Sequence, residues 1–267
     1  MKVPSTNIKL PNQVPKHVQY EFLFLPDPVP TAMITLPVKK SATIEDPKSA
    51  DGQVWESILK KIEASPGYQR LYWGRWIESE NKVQLHVARE KNKQNKDFLK
   101  SETWKQILET AQQLAPEGVD VQKDVVVRHA QLNHFSSGSR ALGGGAPYTG
   151  TAIYFATGRR NWNAVWDLWT TIVPTVPGCM GASGGWITDD VAIPGAPTNM
   201  KGGGKWKNCF IAWVGWESIE AHDAFHHTPE FRKRGVILQE ANFGYTEYGH
   251  VSFTHAREKW ELPHAKL

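Results

Sequence analysis

The chain is poor in the features that mark most specialised classes of protein. It has two cysteines, Cys179 and Cys209, in 267 residues. That is too few, and too widely spaced, for a zinc cluster or a disulfide scaffold. No apolar run approaches the roughly 18 residues of a membrane span, and the polar, proline-containing residues 1–18 lack the apolar core of a secretory signal. Neither sign of charge dominates: 31 Lys and Arg stand against 27 Asp and Glu, for a net charge of +4. The densest basic stretch, 82–105, is interleaved with Glu90, Asp97 and Glu102. It predicts a solvated helix face and offers no focused footprint for nucleic acid. Residues 202–206 miss the leading Gly and the Ser or Thr of a phosphate loop, and Gly143, Gly144 and Gly145 lack dinucleotide-binding spacing. Gly-x-Ser-x-Gly is absent, which argues against a serine hydrolase. The expectation is a cytoplasmic protein with no nucleic-acid or membrane partner, no bound metal and no nucleotide cofactor.

What the chain does have is tryptophan, 12 of them, in a composition that is 40% hydrophobic and 22% charged, as in an ordinary globular protein. The clearest break is the Gly/Ser-rich stretch 133–150, which reads as a linker and divides the chain into halves of similar size. The halves match in order. Each opens with a β-like run, 20–25 and 151–156. Each continues with a helix-like stretch: Val54, Trp55, Ile58, Leu59 and Ile62 in one, Trp162, Val165, Trp166, Trp169 and Ile172 in the other. Each helix stops at a Pro-Gly, Pro66-Gly67 and Pro177-Gly178. Strands at 69–77 and 82–88 match 180–187 and 208–216. A second helical stretch breaks at Ser101-Glu102 in one half and at Thr228-Pro229 in the other, each a predicted N-cap. Closing strands follow at 124–130 and 245–253. The order β-α-β-β-α-β, twice, is the ferredoxin-like motif. The predicted fold class is therefore α+β, with two tandem ferredoxin-like units at 18–132 and 151–255. The first carries an insertion at 26–52 and the second a long Gly/Pro-rich loop at 189–207.

In the second half the pattern becomes specific. The run 210–225, reading FIAWVGWESIEAHDAF, followed by Thr228-Pro229-Glu230-Phe231, resembles the dimeric α/β-barrel superfamily, and most of all its antibiotic-biosynthesis-monooxygenase branch. The first half shares it faintly, with Ala88-Arg89-Glu90 where the second has Trp216-Glu217-Ser218. The resemblance implies an eight-stranded barrel built from two such units, here as a pseudo-dimer within one chain that could also form a homodimer. It implies cofactor-free monooxygenases, polyketide cyclases, haem proteins, decarboxylases, isomerases and stress proteins alike, since a fold does not select a chemistry. The branch often has a His three positions before the Ser/Thr-Pro break; Phe225 stands there in this chain.

The candidate catalytic residues are therefore histidines, ready proton shuttles at neutral pH. His222 and His226 form an i,i+4 pair, His250 lies in the closing strand, and His86 lies on the comparable first-half side. Candidate substrate-binding residues are Tyr154, Trp213, Trp216, Tyr248, Phe225, Tyr72 and Trp73, whose rings suit a flat, hydrophobic, oxygenated molecule. The expected function is a nucleotide-cofactor-free enzyme acting on an aromatic or polyketide-like metabolite by proton transfer, as a cyclase, isomerase, decarboxylase or dehydratase. The alternatives are a cofactor-independent monooxygenase, a haem-binding enzyme with a His ligand, and a non-catalytic ligand-binding or stress protein. The second half is the favoured location of the cavity.

Overall fold

The computed structural model of the chain describes residues 29–135, 140–142, 145–195 and 204–258. Its strands are β1 (Val29–Pro37), β2 (Tyr68–Trp76), β3 (Lys82–Arg89), β4 (Val126–Phe135), β5 (Tyr148–Ala156), β6 (Cys179–Ile187), β7 (Val191–Ala192), β8 (Lys205–Trp206), β9 (Cys209–Trp216) and β10 (Asn242–Glu258). The α-helices are α1 (Ala50–Glu63), α2 (Asn92–Phe98), α3 (Glu102–Ala111), α4 (Val121–Asp124), α5 (Arg159–Ile172), α6 (Ile219–His226) and α7 (Pro229–Glu240). Eight strands close an antiparallel barrel in the order β1-β3-β2-β10-β5-β9-β6-β4. The first half contributes β4-β1-β3-β2 and the second β10-β5-β9-β6. The halves meet at two seams, β2 with β10 and β4 with β6.

The local signals explain the helices. Ser101 and Thr228 cap α3 and α7, their hydroxyls accepting from the backbone N–H groups of Trp104 and Phe231, and Pro229 occupies the first turn, where its missing N–H costs nothing. The first strand differs from expectation. The run 20–25 lies outside the described residues, and β1 forms instead inside the stretch read as an insertion. Pro26, Pro28, Pro30 and Pro37 disguised it. Pro30 is tolerated because it lies near the strand's start, beside β4 and before the ladder with β3 begins. The linker is also shorter than expected, since β4 runs to Phe135 and β5 begins at Tyr148. Within the loop 189–207, β7 and β8 form a small hairpin, and residues 196–203 lie outside the described residues.

Strand alternation sorts the core into three. Met33, Trp76, Ile153, Phe155, Ile211, Trp213, Val251 and Phe253 fill the barrel interior. Trp55, Trp73 and Trp104 belong to the layer between the first-half sheet and its helices. Trp162, Trp166, Trp169 and Phe210 belong to the layer between the second-half sheet and its helices. The tryptophan stripe of α5 is thus core: Trp162 stacks on Trp166 and Trp166 on Trp169, with centroids 6.3 and 5.1 Å apart. No described helix is long and apolar enough to cross a membrane.

The two seams share one device. Gly74 of β2 lies against Ser252, and Gly185 of β6 lies against Gln131. A Cβ on either glycine would be driven into the facing carbonyl oxygen, which belongs to backbone and cannot swing away. Gly74→Ala and Gly185→Ala should each destabilise the chain by about 3 kcal/mol, at the upper end of overpacking costs. Chemical denaturation reads this directly, and a shift under about 0.5 kcal/mol would refute so tight a closure.

Candidate functional site

A cavity of about 880 Å³ lies between the helix-facing side of β5, β9 and β10 and the helices α5, α6 and α7. Its walls are aromatic, with Tyr154, Trp169, Trp216, Phe225, Phe231 and Tyr248 among them, and His222 and His226 of α6 enter from one side. Ser218 caps α6 through the Ala221 N–H, which places His222 one turn in and facing the sheet. Gly150 of β5 makes room there. A Cβ at that position would stand 3.1 Å from the imidazole of His222. Trp216 stacks on the His222 ring at 4.5 Å and 17°, so the ring is held in one plane.

Behind His222 runs a hydrogen-bonded chain. His222 Nδ1 lies 2.6 Å from His250 Nε2. His250 Nδ1 lies 2.5 Å from Glu78 Oε1. Glu78 follows β2 and so reaches this site from the first half, across the β2–β10 seam. Its other oxygen accepts from the backbone N–H of His250 at 2.8 Å. The tautomers follow from the donors. A carboxylate can only accept, so His250 carries a proton on Nδ1, and a neutral His250 ring then presents a bare Nε2. His222 must then donate from Nδ1, which leaves its Nε2 as a lone pair. That nitrogen has no hydrogen-bond partner among the described residues.

Electrostatics agree with these states. Burial, helped by His226 and His250, lowers His222 to about 3, so the ring is neutral. Burial pushes the Glu78 carboxyl up, but the backbone N–H and imidazole of His250 outweigh it and hold the group below its ordinary range. Burial likewise lowers His226 and raises Tyr154 and Tyr248, whose hydroxyls stay protonated and able to donate. A bulge in β10 shapes this corner. The register shifts between Thr246 and Gly249, Glu247 takes a left-handed φ of 51°, and Arg128 of β4 holds its carboxylate at 2.9 Å. Bulges of this kind re-aim side chains near sites, here Tyr248 and His250.

Of the residues singled out from sequence, His222, His226, Tyr154, Trp216, Phe225 and Tyr248 line this one cavity, and His250 stands directly behind it. Four others do not belong to it. His86 is fully buried inside the barrel, 2.8 Å from Gln84 and edge-on to Trp213 and Phe253. Trp213 shares that interior, because it lies three residues from Trp216 and so on the opposite face of β9. Tyr72 and Trp73 are adjacent in β2 and are split the same way. Tyr72 packs on the barrel interior, and Trp73 on the helix layer of the first half. Sequence reasoning missed Glu78, and no local signal marks it, since its partner lies 172 residues away. None of the described residues of the loop 189–207 lines the cavity, though Trp206 packs on Phe243 at its edge. No group of three or more His, Cys, Asp or Glu among the described residues is arranged to hold a metal.

The corresponding place in the first half is filled. Arg89, which ends β3 as Trp216 ends β9, is fully buried with its guanidinium over Phe98 at 4.1 Å. It donates to Asn95 at 2.8 Å and to Ser65 at 2.7 Å. Asn95 stands three residues before Phe98, as His222 stands three before Phe225. The second seam also repeats the carboxylate–histidine pair, with Asp189 2.5 Å from the His129 backbone nitrogen and 3.0 Å from its Nδ1.

The chain matches no family model and no curated protein sequence. Among solved structures it is similar to an anthrone oxidase-like protein, with 13% identity, 90% of this chain and 98% of that one covered, and a TM-score of 0.61. It is also similar to a protein of Fusobacterium nucleatum subsp. nucleatum named, provisionally, as a monooxygenase, with 10% identity, 88% and 97% coverage, and a TM-score of 0.54. The chain shares with these proteins an α+β fold, here with a closed eight-stranded antiparallel barrel. At these identities the likeness concerns fold alone.

Two outcomes follow from the chain of hydrogen bonds. In Glu78→Gln the amide oxygen must serve the His250 backbone N–H, so the NH2 faces Nδ1 and reverses both tautomers. His222 then presents Nε2–H to the cavity, and 15N chemical shifts of the two rings should exchange their protonated and bare patterns; unchanged shifts would contradict the assignment. The second concerns acid stability. His86 is lowered to about 3 by burial, like His222. Unfolded, both bind protons near pH 6.5, but folded they do not until about 3. Their stabilisation is complete above pH 6.5 and declines as pH falls toward 3, by about 1 kcal/mol per pH unit for each ring. Urea midpoints between pH 6.5 and 5 should show at least this slope, to which His226 adds, and His86→Gln should remove one ring's share, about 1 kcal/mol per pH unit. A flat profile would refute the neutral burial of both rings.

Proposed function

We propose that the chain is a small-molecule enzyme that begins its reaction by abstracting a proton from a planar, hydrophobic, oxygenated substrate. The observation that carries this reading is the His222 ring, which lines an aromatic cavity with an Nε2 that has no hydrogen-bond partner among the described residues and is backed by His250 and Glu78. A base must be neutral and within reach of its proton, and burial keeps His222 neutral. When the ring takes a proton from a C–H or O–H acid, the new charge is delocalised along the chain toward the Glu78 carboxylate. The substrate is left as an enolate or phenolate. Tyr248 and Tyr154, protonated at the cavity wall, are the groups placed to donate to its oxygen. A cavity of about 880 Å³ is large enough for a fused-ring substrate. The anion then has the options of an aromatic-polyketide cyclase, isomerase, decarboxylase or dehydratase, and the reading assigns no nucleotide cofactor.

A second reading shares the first step. The fold neighbour named anthrone oxidase-like suggests that the carbanion meets dioxygen. For anthrone, the CH2 group loses two hydrogens and gains one oxygen, and O2 supplies both that oxygen and the one released as water. The two halves are read as a fused pair of ferredoxin-like units, with the second half keeping the cavity and the first supplying Glu78.

Anthrone is the probe that separates these readings. With anthrone in metal-free buffer, oxygen uptake together with anthraquinone formation supports the oxygenase reading. Base-catalysed exchange of the CH2 protons into deuterium oxide, with no uptake, supports proton transfer alone. Either activity should fall by roughly 100-fold or more in His222→Ala, as for loss of a positioned general base. Full activity in that variant would end both readings.

A further inference from the structure

The Glu78 carboxylate has a second face. Its side chain is 48% exposed and borders a surface hollow of about 460 Å³ at the β2–β3 turn, together with Lys40, Glu80 and Lys82. Lys40 is held by Glu80 at 3.0 Å, and no described Lys or Arg forms an ion pair with Glu78. The carboxylate therefore touches His250 on one side and open solvent on the other. His222, at the far end of the chain, is 8% exposed and opens on the cavity. The two ends of the chain thus face different spaces, the aromatic cavity and the outside of the barrel.

We propose that Glu78, His250 and His222 form a proton conduit that connects the cavity to solvent through the β2–β10 seam. This rests on the reading of His222 as the base. Each step moves one proton: the first breaks the substrate's C–H or O–H bond as an N–H bond forms on His222, and each later step breaks one N–H or O–H bond for each that forms. His222 Nε2 takes the substrate proton, and His222 Nδ1–H passes its own to His250 Nε2. His250 Nδ1–H passes its own to Glu78 Oε1, and Glu78 gives it to water in the hollow. After one passage both rings carry their protons on Nε2, with Nδ1 bare. The return passage restores them. The conduit therefore suits a reaction that takes a proton early and gives one back later, while the substrate itself occupies the cavity beside His222. Both separations within the chain, 2.6 and 2.5 Å, are those of direct hydrogen bonds with no water needed between them.

Glu78 is a positioning residue if it only orients His250, and a carrier if it also accepts the proton. Glu78→Ala separates the two, because it empties the carboxylate's place next to the exposed hollow. The assay is deuterium exchange or oxidation of anthrone by the full chain in dilute, weakly acidic buffer, with and without added formate. The conduit requires that Glu78→Ala fall at least 10-fold below wild type in dilute buffer. It also requires that formate restore turnover in proportion to its concentration, with the wild type and His222→Ala unaffected by formate. Turnover by Glu78→Ala equal to wild type without formate would overturn the conduit. So would a loss that formate does not repair while NMR still shows the His222–His250 hydrogen bond, because the rings would then be in place and a carboxylate supplied to the hollow would still carry no proton. Full turnover by His222→Ala would instead remove the base itself, so the two failures are distinct.

Discussion

The site depends on one contact across a seam, the paired acceptance by Glu78 of the His250 backbone N–H and its Nδ1–H. This contact decides three things at once. It joins β2 to β10 where the two halves meet. It sets which nitrogen of His250 is bare, and through that nitrogen it sets which nitrogen of His222 faces the cavity. At the inner end of the chain, where His222 and His250 are both buried, such bonds are strengthened by their neighbours, and an unpaired ring would be costly. The carboxylate is the member that fixes direction, because it alone cannot donate.

The opposite seam shows how much of this arrangement belongs to the barrel and how much to the site. The N–H of Ile77 donates to the carbonyl of His250, and that of Thr188 donates to the carbonyl of His129, both at 2.8 Å. Gly74 and Gly185 admit the facing carbonyls in the same way, and Glu78 and Asp189 each hold a strand histidine. The seam architecture is thus built twice. Beyond it the two halves part. Where the second half has Trp216 and His222 beside open space, the first has Arg89 and Asn95 hydrogen-bonded to each other under Phe98. A buried guanidinium needs several partners to offset its lost hydration, and meeting that need fills the volume. The first half keeps the scaffold without a comparable cavity among the described residues.

Much of this fold was legible in the order of its elements. The matching Pro-Gly stops, the N-caps at Ser101 and Thr228, and the tryptophan period of α5 each act over a few residues, so each could be read from the chain. The first strand was not, because Pro26, Pro28, Pro30 and Pro37 gave it the look of a loop and only pairing with β3 and β4 makes it a strand. Within the site, His222, His226 and Trp216 could be named from spacing and sequence pattern, and the grouping of Tyr248 with His250 from alternation. Alternation applied strictly would also have removed Trp213 from the company of Trp216, and parted Tyr72 from Trp73.

The sequence by itself determined the type and order of the elements and which histidines stand on which of them, since those properties follow from local periodicity and capping. Tertiary structure alone decided that Glu78 completes the site and that His86 does not belong to it, and it opened the cavity in the half that the sequence pattern favoured. The physical reason is separation along the chain. A carboxylate at the end of one strand and an imidazole 172 residues later carry no mark of each other until barrel closure sets β2 beside β10. Whether a pocket stays open likewise depends on how side chains from several elements fill a shared volume, and no single stretch of sequence contains that sum.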